Sequence, residues 1–382
     1  RIMRPPLFKY SASFLTMKSG WGLALLQASS AMAFVLQPSL NSARLGGIRL
    51  GGARAHSRNI VSPTMSATSD TLFKDWKATN TFLFPGQGAQ YIGMAGKLVA
   101  EVPKAKEMFQ QASEVLGYDL LKLCLEGPKD KLDSTVISQP AIYVASLAAV
   151  EKLRSDAGQA VIDSATVAAG LSLGEYTALS FAGAISFEDG LRIVKTRGEA
   201  MQAASEAAES GMVSVIGLDS DTVEKLCART RELTGQQIQI ANFLCPGNYA
   251  VSGSKAACAK LAEIAKPEFK ARMTVPLAVA GAFHTDFMSP AVERLADILS
   301  RVEIKVPRIP VVSNVDAEAH SDPAVIKAIL TRQVTSPVLW ERTISSAMAR
   351  GYTQGYELGP GKVVAGIVKR INKEAALTNV EA

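Results

Sequence analysis

The stretch AGLSLGEYTALSFAGA, residues 169–184, joins a glycine-rich turn to an apolar helical pattern. Its core, GLSLG at 170–174, matches the pattern G-x-S-x-G. The apolar run SATVAAG before the turn predicts a buried strand, and a helix is expected to begin near Leu173. In this strand–turn–helix context, the motif presents a nucleophilic serine at the end of a parallel sheet. The stretch therefore predicts an α/β fold with Ser172 as a candidate nucleophile.

A nucleophilic serine needs a base, and the chain has three histidines. His56 lies in an N-terminal region that reads as a targeting segment. His320 lies in the polar stretch NVDAEAHSDP and is expected to be a solvated surface residue. His284 lies in VAGAFHTDFMSP, between an apolar strand and a predicted helix, and is the base by elimination. The N–H of Leu173, at the helix N-terminus, would face the negative charge of a tetrahedral intermediate.

Strands alternate with helices from Thr79 onward, which predicts a parallel sheet. Long helices are expected over 93–117 and 139–156. Residues 211–277 instead follow the order βαββαβ of a ferredoxin-like subdomain. The predicted fold class is therefore α/β, with a hydrolase-like parallel-sheet core over 79–210 and 278–375 and a ferredoxin-like subdomain inserted at 211–277. A ligand is expected in the groove between them.

The basic excess of the chain is confined to its N-terminal part. No Asp or Glu precedes Asp70, whereas eight of the 41 Lys and Arg residues do, which leaves 33 basic against 35 acidic residues. This balance gives no reason to expect nucleic-acid binding. The four cysteines form no CxxC pair, so they indicate separate thiols in a reducing compartment rather than a disulfide framework or a zinc site.

Residues 1–68 are predicted to be a disordered targeting region. The segment MKSGWGLALLQASSAMAF, from Met17, has a basic start, a short apolar run and an A-x-A cleavage site at 31–33. It is too short and polar to span a bilayer, and no membrane is expected for the mature protein. A basic, Gly/Ser/Arg-rich segment follows. This order resembles the two-part plastid addresses of algae with complex plastids, so the plastid stroma is expected, with the mitochondrion as the alternative.

Seven blocks in order carry a family resemblance that covers residues 80–374. They are FPGQGAQYIGM (84–94), GLSLGEYTAL (170–179), KTRGEAMQ (195–202), ANFLCPGNYAVSG (241–253), GAFHTDFM (281–288), QVTSPVLW (333–340) and ELGPGKVVAGIVKRI (357–371). The chain resembles the malonyl-CoA:acyl-carrier-protein transacylases of type II fatty acid synthesis. One departure is Leu171, where many bacterial members carry histidine, although plant-type members also carry leucine.

The resemblance implies that Ser172 attacks the malonyl thioester and holds the malonyl group as an ester. His284 would act as base and then as acid toward the departing CoA thiol. The backbone carbonyl of Gln333 would orient the histidine in place of a carboxylate. The N–H groups of Gln87 and Leu173 would form the oxyanion hole.

The same resemblance implies the substrate contacts. Arg197 would bind the malonyl carboxylate bidentately, and Met201 would line the same pocket. Phe283 matches the malonyl-selective form of its motif, and Asn242 would support the site from the small subdomain. The expected substrates are malonyl-CoA and holo acyl carrier protein, with no cofactor and no metal, and the enzyme is expected to be a monomer.

Two other readings share these residues. A serine thioesterase or hydrolase would use the same turn, but it would not need Arg197 and would usually pair its histidine with an Asp or Glu. A degenerate, non-catalytic acyltransferase kept for docking would not need Ser172, His284 and Arg197 all intact. Product analysis with malonyl-CoA, with and without carrier protein, separates these readings.

Overall fold

A computed structural model describes residues 70–382, and the predicted targeting region lies outside the described residues. Two sheets form the framework. Their strands are β1 (Asn80–Phe84), β2 (Val167–Gly170), β3 (Ser210–Ile216), β4 (Ile238–Cys245), β5 (Asn248–Ser254), β6 (Met273–Pro276), β7 (Val311–Val312), β8 (Gln354–Gly359) and β9 (Leu377–Glu381). The helices are α1 (Gly96–Glu101), α2 (Pro103–Leu116), α3 (Leu120–Glu126), α4 (Lys129–Asp133), α5 (Thr135–Ala157), α6 (Gln159–Asp163), α7 (Gly174–Phe181), α8 (Phe187–Glu206), α9 (Ser220–Thr234), α10 (Lys255–Phe269), α11 (Ser289–Arg301), α12 (Pro323–Gln333), α13 (Trp340–Ala349) and α14 (Val363–Ile371).

The larger sheet has the order β7-β2-β1-β8-β9, and every pairing in it is parallel. All four residues of β2 are buried. On the neighbouring β1, Phe82 and Phe84 enter one hydrophobic core, and Leu83 between them enters another. A central parallel strand covered on both faces has no polar side, which is why its sequence shows no alternation.

The smaller sheet has the antiparallel order β4-β5-β3-β6. With α9 and α10 it completes the βαββαβ pattern, and its side chains form a separate core. The fold class predicted from the sequence is confirmed. The cut points proposed between core and subdomain stay a prediction. A single parallel bridge between Asn242 and Val338 connects β4 to the segment before α13.

Two helix predictions need correction. The helix expected over 93–117 is interrupted at Val102, which has extended geometry, because a residue before a proline is disfavoured in the helical region. The helix expected to begin at 139 instead begins at Thr135, with Pro140 inside it. No helix within residues 70–382 is long and apolar enough to cross a membrane.

Candidate active site

The turn between β2 and α7 depends on its two glycines. A methyl carbon at Gly170 would lie 1.9 Å from the carbonyl carbon of Gly174, and one at Gly174 would lie 2.3 Å from the carbonyl oxygen of Phe84. Ser172, between them, has a φ of 51°, a conformation that non-glycine residues seldom adopt. The helix can therefore start directly behind the serine, which is held at the tip of a tight turn.

Neighbouring parallel strands deliver the site residues to one edge of the sheet. Gln87 follows β1, Ser172 follows β2, and Asn314 follows β7, which pairs with β2. The carboxyl ends of parallel strands meet at the same edge, where α/β proteins bind their ligands. The side chain of Asn314 ties these loops together: its Oδ1 accepts from the Ser172 N–H at 2.6 Å, and its Nδ2 donates to the Gly170 carbonyl at 2.7 Å.

The structure brings Ser172, His284 and Gln333 together. The Oγ of Ser172 lies 2.8 Å from Nε2 of His284, and Nδ1 of that ring lies 2.9 Å from the backbone carbonyl oxygen of Gln333. A carbonyl only accepts, so Nδ1 carries the proton and Nε2 accepts from the serine hydroxyl. Burial, with the nearby positive charge of Arg197, lowers the pKa of His284 to about 4. The imidazole is therefore neutral at physiological pH, the form a general base requires.

Arg197, on α8, reaches the same hydroxyl. Its side chain is 1 % exposed. One terminal nitrogen donates to Ser172 Oγ at 3.1 Å and to Oε1 of Gln333 at 3.0 Å, and the other donates to Oε1 of Gln139 at 2.8 Å. The guanidinium lies 5.3 Å from the ring centre of Tyr176. Within the described chain its Nε has no hydrogen-bond partner and no carboxylate lies within ion-pair distance. The site therefore contains a buried cation without a direct counter-ion.

A cavity of about 70 Å³ opens between these groups. Its walls include all the predicted pocket residues: Gln87, Leu173, Arg197, Met201, Asn242, Phe283 and His284. Among residues 70–382, no acceptor is bonded to the backbone N–H groups of Gln87 and Leu173. The buried Oδ1 of Asn242 also has no hydrogen-bond partner there. The residues that line the cavity therefore include two backbone N–H groups without a protein acceptor and one buried amide oxygen without a donor.

Three site residues were missed by the sequence analysis. They are Gln139, which binds Arg197; Asn314, which orients the serine turn; and Glu175, which is 3 % exposed and accepts from Gln333. Two of them carry a sequence signal, namely a polar residue inside an otherwise apolar helix. Asn314 could be placed only once β7 was known to pair with β2.

His320 differs from its predicted role as a solvated surface residue. Its ring is half-buried, with Nδ1 2.7 Å from Asp70 and Nε2 3.1 Å from Asp316. Burial opposes the charged form, but the bonds to both carboxylates outweigh it and raise the pKa of His320. His320 does lie in a polar loop, as predicted, but the prediction that it is exposed is wrong. The local sequence did not reveal its two carboxylate partners.

Metal and disulfide sites are not apparent in the described chain. The four cysteines are unpaired and buried. Within residues 70–382, no three His, Cys, Asp or Glu side chains are grouped so that they could hold a metal ion.

The fold and this arrangement of side chains define an acyltransferase of the nucleophile-elbow class. Residues 81–381 match the family model described as acyl transferase domain. The chain is 44% identical over 306 residues to the mitochondrial malonyl-CoA-acyl carrier protein transacylase of Homo sapiens, covering 78% of each chain. It is 40% identical to the corresponding Bacillus subtilis protein over 76% of this chain and 90% of that one.

A solved malonyl-transacylase in complex with its type II PKS acyl-carrier protein superposes with a TM-score of 0.74 at 35% identity. The match covers 79% of this chain and 95% of that one. This chain belongs to the family of malonyl-CoA-acyl carrier protein transacylases.

Proposed function

We propose that this enzyme transfers the malonyl group from malonyl-CoA to the phosphopantetheine thiol of acyl carrier protein, through a malonyl ester on Ser172. The observation that carries the proposal is the buried guanidinium of Arg197, 3.1 Å from Ser172 Oγ. In a malonyl ester the free carboxylate is only three bonds from that oxygen. A planar guanidinium beside the nucleophile can bind the carboxylate of such an acyl group, whereas an acetyl group has no carboxylate for it to bind.

In the first half-reaction, Ser172 Oγ attacks the thioester carbon while His284 Nε2 takes its proton. The C–S bond then breaks, and the imidazolium returns the proton to the sulfur of CoA. In the second half-reaction, His284 takes the proton of the carrier thiol, and the sulfur attacks the ester carbon to form the C–S bond. The ester C–O bond then breaks, and the imidazolium returns the proton to Ser172 Oγ. The Gln333 carbonyl accepts from Nδ1 of both the neutral and the protonated ring, so Nε2 stays directed at the reacting atoms without a carboxylate partner.

The N–H groups of Gln87 and Leu173 are proposed to stabilise the oxyanion in both half-reactions. Their freedom from protein acceptors and their position on the cavity wall support this role. Removing one such donor typically costs about 10²–10³ in rate. Met201 and Phe283 would pack against the acyl chain, and Asn242, with its unpaired amide oxygen, would contact the incoming thioester arm.

The proposed partners are CoA thioester and acyl carrier protein, with no cofactor or metal and with a monomeric enzyme. The solved relative bound to its carrier protein supports the carrier as acceptor. A thioesterase is the alternative. The buried Arg197 disfavours it, because hydrolysis of a thioester does not need a cation beside the serine.

Malonyl-CoA mixed with the purified protein should add one malonyl group, seen as a mass increase of the intact chain. Ser172→Ala should abolish the adduct, and Ser300→Ala, an exposed helical serine, should leave it unchanged. Adding holo carrier protein should then discharge the adduct into malonyl-carrier product. An adduct that persists in Ser172→Ala would contradict the assignment of Ser172 as the nucleophile. Release of free malonate at the same rate without carrier protein would favour the thioesterase.

We further propose that the mature enzyme works in a plastid. The support is the acid-free, patterned composition of residues 17–68. Animal relatives are mitochondrial by name and others are bacterial, so the mitochondrion is the competing location. A fluorescent protein fused after residues 17–80 should label plastids, and labelling of mitochondria or secretion would contradict the proposal.

A further inference from the structure

Arg197 reaches one buried carboxylate through a single amide. Oε1 of Gln333 accepts from Arg197 at 3.0 Å, and Nε2 of the same side chain donates to Oε2 of Glu175 at 2.6 Å. The peptide carbonyl of Gln333 holds His284. A guanidinium and a carboxyl group therefore bind opposite ends of one amide, and the guanidinium also contacts the nucleophile.

Glu175 is buried, so bulk solvent does little to stabilise its charge. It lies in the first turn of α7, and its Oε2 also accepts from the backbone N–H of Asn314 at 3.0 Å. Burial raises the pKa of Glu175 to about 7, even though the hydrogen bond from Gln333 favours the charged form. A carboxyl group in this position can change its charge near physiological pH.

The other ionisable groups around Glu175 come from several elements. Asp316, after β7, opposes its charge, and Arg197, on α8, favours it. Tyr176 on α7 and His284 are uncharged at neutral pH, because burial raises the pKa of the phenol to about 12 and lowers that of the imidazole. Strands β1 and β2 carry no ionisable side chain, and Tyr143 on α5 is bonded to Ser180. Asp316 is therefore the negative charge near Glu175 and Arg197 the positive one, and only Arg197 also faces the nucleophile.

We propose, on the basis of the malonyl transfer proposed above, that Glu175 is the counter-charge of Arg197 in the empty site and takes up a proton when the acyl carboxylate binds Arg197. In the empty site the two charges compensate each other through Gln333. When the acyl carboxylate binds Arg197, the buried site contains two carboxylates and one guanidinium, so its net charge becomes −1. A proton from solvent then forms an O–H bond on Glu175, and the net charge of the site returns to neutral.

Proton uptake ties the affinity for malonyl-CoA to pH. Above neutral pH, Glu175 is ionised in the empty enzyme, so the binding of malonyl-CoA consumes a proton. The affinity for malonyl-CoA therefore falls by up to about tenfold for each unit by which the pH rises. Acetyl-CoA carries no acyl carboxylate and leaves the Arg197–Glu175 pair intact, so its affinity has no such slope. The discrimination between the two acyl groups is then greatest at or below neutral pH.

The test is calorimetry of malonyl-CoA binding to Ser172→Ala at pH 8, in two buffers of different ionisation enthalpy. The expected uptake approaches about one proton with malonyl-CoA and is near zero with acetyl-CoA. Glu175→Gln in the same background should abolish the uptake. Both hydrogen bonds of Glu175 go to one oxygen, so the glutamine can keep them while losing the charge.

The outcomes separate this inference from the proposed function. Failure of Ser172→Ala to bind malonyl-CoA would overturn the proposed function and the inference with it. Binding without proton uptake, or equal uptake after Glu175→Gln, would overturn the inference alone. If Glu175→Gln does not fold, the double variant His284→Ala with Ser172→Ala provides the test. Proton uptake that persists in it excludes His284 as the group that is protonated and supports Glu175. Proton uptake that disappears in it contradicts the role of Glu175.

Discussion

Arg197 and its neighbours set the chemistry at the scale of single residues. Serine and histidine alone allow hydrolysis or transfer of many acyl groups. The buried guanidinium restricts the acyl group, because it can bind the carboxylate of a malonyl group directly and has no corresponding group to bind in an acetyl group. Its bond to Ser172 Oγ also places the charge beside the reacting atom. Substrate choice and nucleophile position therefore depend on the same side chain.

Arg197→Ala should lower kcat/KM for malonyl-CoA by about 10²–10³, the effect of removing one partner of a buried charged pair. Transfer from acetyl-CoA should rise relative to malonyl-CoA, because the substitution removes a contact that only the malonyl carboxylate makes. Arg197→Lys should rescue malonyl transfer only in part, since an ammonium cannot bind a carboxylate bidentately. Transfer rates for both thioesters provide the measurement.

Arg192→Ala is the matched control for this substitution. Arg192 lies on the exposed face of the same helix and pairs with Glu188 and Asp189. Its loss should leave both transfer rates unchanged. A malonyl preference that survives Arg197→Ala would show that the carboxylate is bound elsewhere.

At the scale of elements, the site depends on how closely α7 approaches the ends of β1 and β2. Gly170 and Gly174 let the helix start within contact distance of the strand backbone. This approach brings Glu175 within hydrogen-bond distance of Gln333 and places Leu173 in the wall of the cavity. The glycines of the motif are thus requirements of packing as much as of turn geometry.

Gly170→Ala should lower the free energy of unfolding by about 3 kcal/mol or more, because the methyl group would collide with the backbone of α7 rather than with a movable side chain. The rate of malonyl adduct formation should fall as well, since the turn must open. Urea unfolding and intact-mass kinetics measure the two effects. Gly211→Ala, in β3, is the control: its added carbon meets nothing within 4 Å, so stability should change by less than about 1 kcal/mol. Equal effects of the two substitutions would contradict the packing argument.

At the scale of the whole molecule, Asp70 attaches the start of the described chain to the loop that follows β7. Asp70 accepts from the N–H and hydroxyl of Ser321 and pairs with His320. The same loop contains Asn314, which orients the serine turn. Asp70, His320 and Ser321 therefore connect the chain that follows the predicted targeting region to the loop that orients the serine turn.

The His320 cluster should stabilise the fold in a defined pH window. The pKa of His320 is raised above its unfolded value of 6.5, so its contribution is complete below that pH and is lost as the pH rises through the folded value. Burial opposes the ionised forms of Asp70 and Asp316, but hydrogen bonds from Ser321 and His320 lower their pKa below 3.8, and their contribution is lost only in acid. His320→Gln should cost about 1–2 kcal/mol at pH 5.5 and less at pH 8.5.

Thermal unfolding of the two proteins at both pH values measures this difference. Asp70→Asn should give the same pH dependence, and combining it with His320→Gln should cost less than the sum of the two. A loss of the same size at pH 5.5 and pH 8.5 would mean that His320 contributes by packing and not by charge.

The local pattern around residues 164–182 was sufficient to predict the strand, the turn, the nucleophile and the parallel α/β class, because these features depend on neighbours within a few residues. The βαββαβ order of the small sheet could be read for the same reason. Elimination led to His284, and ordered family motifs pointed to Arg197 and Gln333. The roles of these residues stay predictions until the variants are measured.

Only the tertiary structure decided which polar groups share the buried space behind Ser172. Glu175, Asn314 and Gln139 come from three separate elements, and their bonds to the site span up to 158 residues of sequence. The charge of Glu175 and the pairing of His320 depend on burial and on partners that no local pattern reveals. Hydrogen bonding and desolvation act through space, so they are settled when the strand ends meet and not by the order of residues along the chain.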